Sequence, residues 1–462
     1  MASTKLSRTQ ESPTENKKFT VSCWFKPAQV ANEMKLIYAD DNSTNNYTYI
    51  HFSDTSGRIR FQNRNGGSNN TELIFQNNIR DFSSWYHMVM AVDSTQTTAS
   101  DRVKFYLNGV QYTDLDPGQN TYPPINQTFT LNSGGYDVEI GASNSSSYFN
   151  GVMSQFIFID GVQYAASTFG STNATSGEWT PNPNPTISEY GNNGFKLSFE
   201  DTAALGDDTS GKGNDLAVSG SGTPTLDCPS NNMTTLNPIA QYGSNQGTLS
   251  NGNTSWVWSN YQVNARSTLG MPKGKFYWEQ KCLGDEGSNR IGMCTSAFSS
   301  FIDTDSANAH YNAIGNGGIY ILASTASTSW PRTNNDTSQN QDTYTYAAAL
   351  ATGDIIMSAV DVDAGKYWVG INGTWMYSGN PATGANAQIT FTNSGGDDLQ
   401  VFCGSGTNNS RSFSFNFGNG YFGTTAVTTN SGNGYAGTEG ASKFNYQPPT
   451  GYSAINTKGL NL

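Results

Sequence analysis

From Gly353 to Gly373 the chain alternates with a period of two. Ile355, Met357, Ala359 and Asp361 fall out of phase with Ile356, Ser358, Val360 and Val362, the pattern of a strand with one buried face. Asp363-Ala364-Gly365 supplies a tight turn, after which Lys366, Trp368 and Gly370 alternate with Tyr367, Val369 and Ile371. A second turn at Asn372-Gly373 leads to Trp375, so the stretch predicts three antiparallel strands. The same alternation starts near the beginning of the chain. Phe19, Val21, Cys23 and Phe25 face one way, Thr20, Ser22, Trp24 and Lys26 the other, and Pro27 ends the strand. Short strands are predicted at regular spacing after it: Leu36 to Tyr38, Tyr47 to Phe52, Arg58 to Gln62, Glu72 to Phe75, Trp85 to Val92, Val103 to Leu107, Val138 to Gly141 and Gly151 to Ile159. No convincing long stretch of helical period occurs. The pattern predicts an all-β chain of antiparallel β-sandwiches of jelly-roll type.

Composition supports this. Only 13% of residues are charged while 12% are aromatic, which argues against disorder, and abundant Gly and Asn suit a fold with many tight turns. A length of 462 residues predicts two or three domains. The net charge of -12 with no basic stripe argues against nucleic acid, and no apolar run approaches the ~20 residues that span a bilayer. The opening residues MASTKLSRTQESPTENKK lack an apolar core, so no secretory signal is expected. Five cysteines, none in a C-x-x-C pair, read as small buried hydrophobes of a reduced protein. Pairing of Cys282 with Cys294 across adjacent strands is left open.

Several motifs carry resemblances. The order of a central Trp strand, Trp85-Tyr86-His87-Met88-Val89, the Asn108-Gly109 hairpin and Phe149-Asn150-Gly151 with Met153 to Phe158 is similar to LamG or concanavalin A-like lectin/glucanase jelly rolls. Gly274-Lys275-Phe276-Tyr277-Trp278-Glu279, Arg290 to Cys294 and the 353–373 hairpins resemble SPRY domains, which are partner-binding sandwiches. Residues 1–205 are thus expected to form the first domain, 206–245 a linker and 246–462 the second. The strand Gly194 to Glu200 is expected to return to the first sandwich, after an extended connector from Phe169 to Glu189. The closing Pro448-Pro449-Thr450-Gly451-Tyr452-Ser453-Ala454-Ile455-Asn456, with the Pro- and Asn-rich linker, resembles a two-module family carried by marine bacteriophages and cyanophages. That resemblance implies a virion-surface protein made in the bacterial cytoplasm, assembling as a homo-oligomer with other tail or capsid proteins and touching a host glycan or protein. A tail fibre or host-recognition component is the leading expectation, a capsid-decorating protein the second and a polysaccharide depolymerase the third.

Candidate chemistry is sparse. The glucanase spacing E-x-D-x-E is absent; Glu139 and Glu279 each stand without a second Glu on their strand, whereas a retaining hydrolase needs two carboxyl groups about 5–5.5 Å apart. No enzymatic activity is therefore expected. Three isolated histidines do not describe a zinc site, and His87 reads as a hydrogen-bonded structural residue. Asp207, Asp208 and Asp215 in a Gly-rich run are candidate Ca²⁺ ligands, or else a turn serving its own backbone. For ligand binding, aromatic faces beside amide and carboxylate groups are the remaining signal: Tyr47 and Tyr49 near Asp41 and Asn45, and Trp330 with Arg332 and Asn334 in a polar insertion. Tyr47 and Tyr49 equally fit the filling of one strand face.

Overall fold

The computed structural model of the chain describes residues 4–31, 33–241, 246–258, 263–284, 289–295, 318–323, 328–329, 331–332, 344–345, 350–391, 398–405, 411–428 and 434–461. The chain is nearly all β and divides into two compact units, Met1–Pro224 and Thr225–Leu462.

The first unit is a two-sheet sandwich. Its larger sheet runs, edge to edge, Leu115–Thr121, Ser68–Phe75, Ile59–Asn65, Tyr47–Phe52, Lys35–Asp40, Asp137–Ile140, Lys5–Thr9 and Ala217–Ser219. Its smaller sheet runs Phe195–Leu197, Gly151–Asp160, Lys18–Pro27, Tyr86–Asp93, Val103–Leu107 and Val110–Tyr112. The alternating apolar residues meet between the sheets: Phe19, Val21, Cys23 and Phe25 pack with Ile50, Phe52, Phe61, Phe75 and Ile140. Phe195–Leu197 returns to this sandwich as expected, pairing with Phe156 to Phe158.

The other face of the Lys18–Pro27 strand is buried too. The segment from Phe169 to Glu189, expected as an extended connector, contributes the small hairpin Gly170–Thr172 with Trp179–Pro181, and lays Phe169 and Trp179 against Val89, Ala91, Ile157 and Ile159. Here Trp24 stacks on His87 at 4.7 Å and Trp179 lies on the far side at 6.0 Å. Trp179 Nε1 donates to His87 Nδ1 at 2.9 Å, so the other ring nitrogen carries the proton and donates to Ser22 Oγ, also at 2.9 Å. Burial pulls His87 down to about 3, and it stays neutral.

The second unit is also a sandwich. One sheet contains Ser255–Trp258, Arg411–Asn416, Lys275–Gly284, Ile355–Asp361, Lys366–Ile371 and Thr374–Trp375 in that order; the other contains Asn264–Met271, Leu399–Ser405, Asn289–Thr295 and Gly318–Ala323. Between them lie Trp256, Trp278, Ile356, Val360, Val369, Phe413 and Phe415 from the first sheet and Met293 and Val401 from the second. Both predicted hairpins form. Gly365 takes φ 60 and a Cβ there would overlap the Phe391 carbonyl, while Asn372 and Gly373 take φ 49 and 86.

The expectation of one buried face for the Ile355–Asp361 strand is corrected, since every residue in it is buried. The closing segment covers the outer face: Phe444, Tyr452 and Ala454 pack on Tyr277, Met357, Ala359 and Trp368. Residues 206–245 do not stand apart as a linker. Ala217–Ser219 joins the larger sheet of the first unit, whereas Met233 and Leu236 bridge to Asn456 and Ser267 within the second. Cys282 and Cys294 lie in opposite sheets of their sandwich and are not joined by a disulfide, and Cys23, Cys228 and Cys403 are not disulfide-bonded either.

Candidate functional site

The outer face of the larger sheet in the first unit differs from the two covered faces. Cross-strand register sets its residues in rows. Asp40 stands opposite Tyr47 and Tyr47 opposite Arg64; in the next row Glu139, Tyr38, Tyr49 and Gln62 follow one another; then come Lys35, His51 and Arg60. Because neighbouring side chains on one sheet face stand within reach of each other, the tyrosines form a ladder. Tyr47 and Tyr49 stack at 5.2 Å with an interplanar angle of 10°, and Tyr38 lies 6.5 Å from Tyr47. Tyr49 is 9% exposed, while Tyr47 is half-buried at the strand start and presents its ring to solvent.

The polar groups around the ladder are fixed by one another. Tyr38 Oη donates to Asp40 Oδ2 at 2.9 Å, and Asn144 Nδ2 donates to the same oxygen at 2.8 Å. Tyr49 Oη donates to Gln62 Oε1, Lys5 pairs with Glu139 and Arg60 pairs with Glu72. The Asn144 amide N–H donates to Glu139 Oε2 at 2.7 Å, which holds a loop where Asn144, Ser145 and Ser147 take φ 45, 61 and 50. Such left-handed backbone outside glycine is strained and is kept only where surroundings fix it. A second loop borders Tyr47: Asp41 accepts from Ser43 and Asn46, and Asn46 Oδ1 accepts from the Gly66 N–H. The Lys35 ammonium lies 4.4 Å from the Tyr49 ring centre and 3.2 Å from His51 Nδ1. Burial lowers Lys35 to about 8, and burial followed by the Lys35 and Arg60 charges keeps His51 well below its usual range. His51 therefore carries its proton on Nε2, a buried donor with no partner among the described residues.

The other sequence candidates fare differently. Asp208 accepts from the Lys196, Ser210 and Asn214 N–H groups and from Ser210 Oγ, and Asp215 accepts from the Asp208 N–H. The turn thus consumes the Asp208 carboxylate, which fits the reading of this run as a turn serving its own backbone rather than as Ca²⁺ ligands. Among the described residues no three His, Cys, Asp or Glu side chains converge to hold an ion. Trp330 and Asn334 lie outside the described residues. Arg332 belongs to the short strand Pro331–Arg332, whose backbone pairs with Tyr320. Sequence reasoning missed Tyr38, Lys35, Arg64 and Asn144; the period-two spacing from Tyr47 carried the signal for Arg64 only once its hairpin register was known.

Comparison with known proteins agrees with this architecture. Residues 2–167 match the sequence profile of the concanavalin A-like lectin/glucanases superfamily. The match lies within the first unit. None of the curated proteins matches the chain in sequence. Among solved structures it is similar to the SPRY domain of human HERC1, with 12% identity over 39% of this chain and 96% of that one at TM-score 0.27. It is also similar to domains LG4-5 of the mouse laminin alpha1 chain, with 9% identity over 89% of this chain and 85% of that one at TM-score 0.28. Domain 4 of a Geobacillus stearothermophilus GH43 extracellular arabinanase aligns at 15% identity over 34% of this chain and 66% of that one, TM-score 0.25. A lectin/glucanase-type domain fits carbohydrate or protein binding.

Proposed function

We propose that the chain is a non-enzymatic binding protein whose ligand is a saccharide seated on Tyr47. One observation carries the reading: a stacked tyrosine pair opens to solvent at Tyr47, flanked by Asp40 and Arg64 and rimmed by two held loops. An aromatic face accepts the C–H face of a sugar ring, and carboxylate, amide and guanidinium groups bond its hydroxyls. Catalysis is not part of the reading. The carboxylates of this face are engaged by Lys5, Arg60, Tyr38 and Asn144, and the carboxylate with a raised pKa, Glu279, is fully buried in the other unit. The setting we propose is the surface of a phage particle, as a tail fibre or host-recognition component and otherwise as a capsid-decorating protein. This setting draws on the likeness of the closing Pro448 to Asn456 segment to phage chains.

A glycan array probed with the full chain and with Tyr47→Ala tests the seat, with signal expected for the first and lost in the second. New reducing ends released from a bound polysaccharide would replace the binding reading with a depolymerase. Gold-labelled antibody on purified virions tests the setting; label on neither tail nor head would remove it.

A further inference from the structure

We infer that the Tyr47 seat selects an acidic saccharide, with Arg64 drawing the carboxylate of a uronic-acid unit, the buried Lys35 charge adding to its field, and Tyr47 carrying the ring. This rests on the saccharide reading above and narrows its ligand class.

Charges on the outer face of the larger sheet are only partly paired. Lys5 is paired with Glu139 and Arg60 with Glu72. Two cations are left over. The Arg64 guanidinium lies 6.0 Å from the Tyr47 ring centre, and the Lys35 ammonium lies over Tyr49. Neither has a carboxylate at ion-pair distance among the described residues. On the other side of Tyr47 stand two carboxylates of the same row: Asp40 accepts from Tyr38 and Asn144, and Asp137 accepts from Thr9 Oγ1, while Glu33 reaches Lys35 only through space.

Two unpaired cations beside one aromatic stack are not what a chain of net charge -12 would place by chance of composition. Each is desolvated by its neighbours: Lys35 is 5% exposed, and Arg64 Nε is buried without a hydrogen-bond acceptor. A ring face compensates such a charge only in part, whereas a carboxylate meets a guanidinium with parallel charge-assisted bonds. Arg64 is half-exposed and stands directly across from Tyr47, so a group on the edge of a ring lying over Tyr47 comes to its terminal nitrogens.

The test is calorimetric titration of the full chain with oligogalacturonate, oligoalginate and hyaluronan oligosaccharides, each beside its carboxyl-reduced counterpart, with dextran sulfate as a bare-charge arm. At least one acidic oligomer is expected to bind, and its reduced form about 10- to 100-fold more weakly. Arg64→Gln should erase that preference, Arg64→Lys should restore part of it, and Tyr47→Ala should weaken acidic and reduced forms alike. If Arg64→Gln melts early, Lys35→Met carries the same expectation. Equal binding of acidic and reduced forms, unmoved by Arg64→Gln, overturns the acidic selection and leaves the saccharide reading standing. Binding of dextran sulfate alone, indifferent to Tyr47→Ala, also overturns it. Failure of every oligomer, acidic and reduced, removes both readings.

Discussion

Two sheet faces in this molecule are built from the same materials and finished in opposite ways. In the second unit, the outer face around Tyr277, Trp368 and Glu279 is covered by the chain's own closing segment. Its most deeply buried carboxylate is fully served: Glu279 accepts from Tyr277 Oη at 2.9 Å, from the Asn445 and Tyr446 N–H groups at 2.9 and 2.8 Å, and from Asn416 Nδ2 at 3.2 Å. In the first unit, the outer face around Tyr38, Tyr47 and Tyr49 also buries charges among aromatic rings. There Arg64 and Lys35 lack an anion and His51 Nε2 lacks an acceptor among the described residues. An aromatic, charged face whose polar groups are satisfied by the chain is a structural layer. One whose polar groups are left short is prepared for something that the chain does not supply.

The comparison predicts the largest stability loss on the covered face. Glu279→Ala strands two buried backbone donors and detaches the closing segment, so the second unit should lose about 3–5 kcal/mol in urea unfolding. Trp368→Ala opens a cavity beneath Tyr452 and should cost a similar amount, about 3–5 kcal/mol. A loss below about 1 kcal/mol in either would mean that the closing segment is not a structural cover.

A smaller, signed effect follows from protonation. Burial raises Glu279 from its ordinary 4.5 to about 7, so between these values the folded chain holds more protons than the unfolded chain. The stability of the second unit should therefore be highest below about pH 4.5 and fall as pH rises through 7. Glu279→Gln should flatten that slope, and an unchanged slope would place its origin elsewhere. In the first unit, Trp179→Ala removes the donor to His87 and the ring packed beside it, for an expected loss of about 2–3 kcal/mol in the same assay. The smallest stability effect belongs to the open face. Arg64→Gln should shift stability by no more than about 0.5 kcal/mol, because its guanidinium has no bonds to lose. A large loss there would reveal a structural role and erase the contrast.

Much of this was legible before any fold was known. The period-two runs at Phe19 to Lys26 and Ile355 to Val362 placed both sandwich cores, and Asn372-Gly373 placed a turn, since these are local rules. Tyr47 and Tyr49 were picked out by spacing alone. What escaped was non-local. Period two says that one face is buried but not that a distant segment buries the other. Tyr452 gave no sign of resting on Trp368, nor Trp179 of reaching His87, because those contacts join residues 84 and 92 positions apart or form only after the sheets assemble. The strands Lys5–Thr9 and Ala217–Ser219 at one end of the larger sheet went unread because polar sequences there lack alternation. The Asp207 to Asp215 run left two readings open for the converse reason: a turn that bonds its own backbone and an ion cage use the same residues.

The contrast between the finished and unfinished faces is tested most directly by ¹⁹F-tyrosine labelling of the full chain, with resonances assigned by single Tyr→Phe variants, during titration with an acidic oligosaccharide that binds. Saturable shifts of Tyr47 and Tyr49, with Tyr277 and Tyr452 unmoved, are the predicted result. Shifts confined to Tyr277 and Tyr452, or binding that leaves Tyr47 untouched, would contradict it.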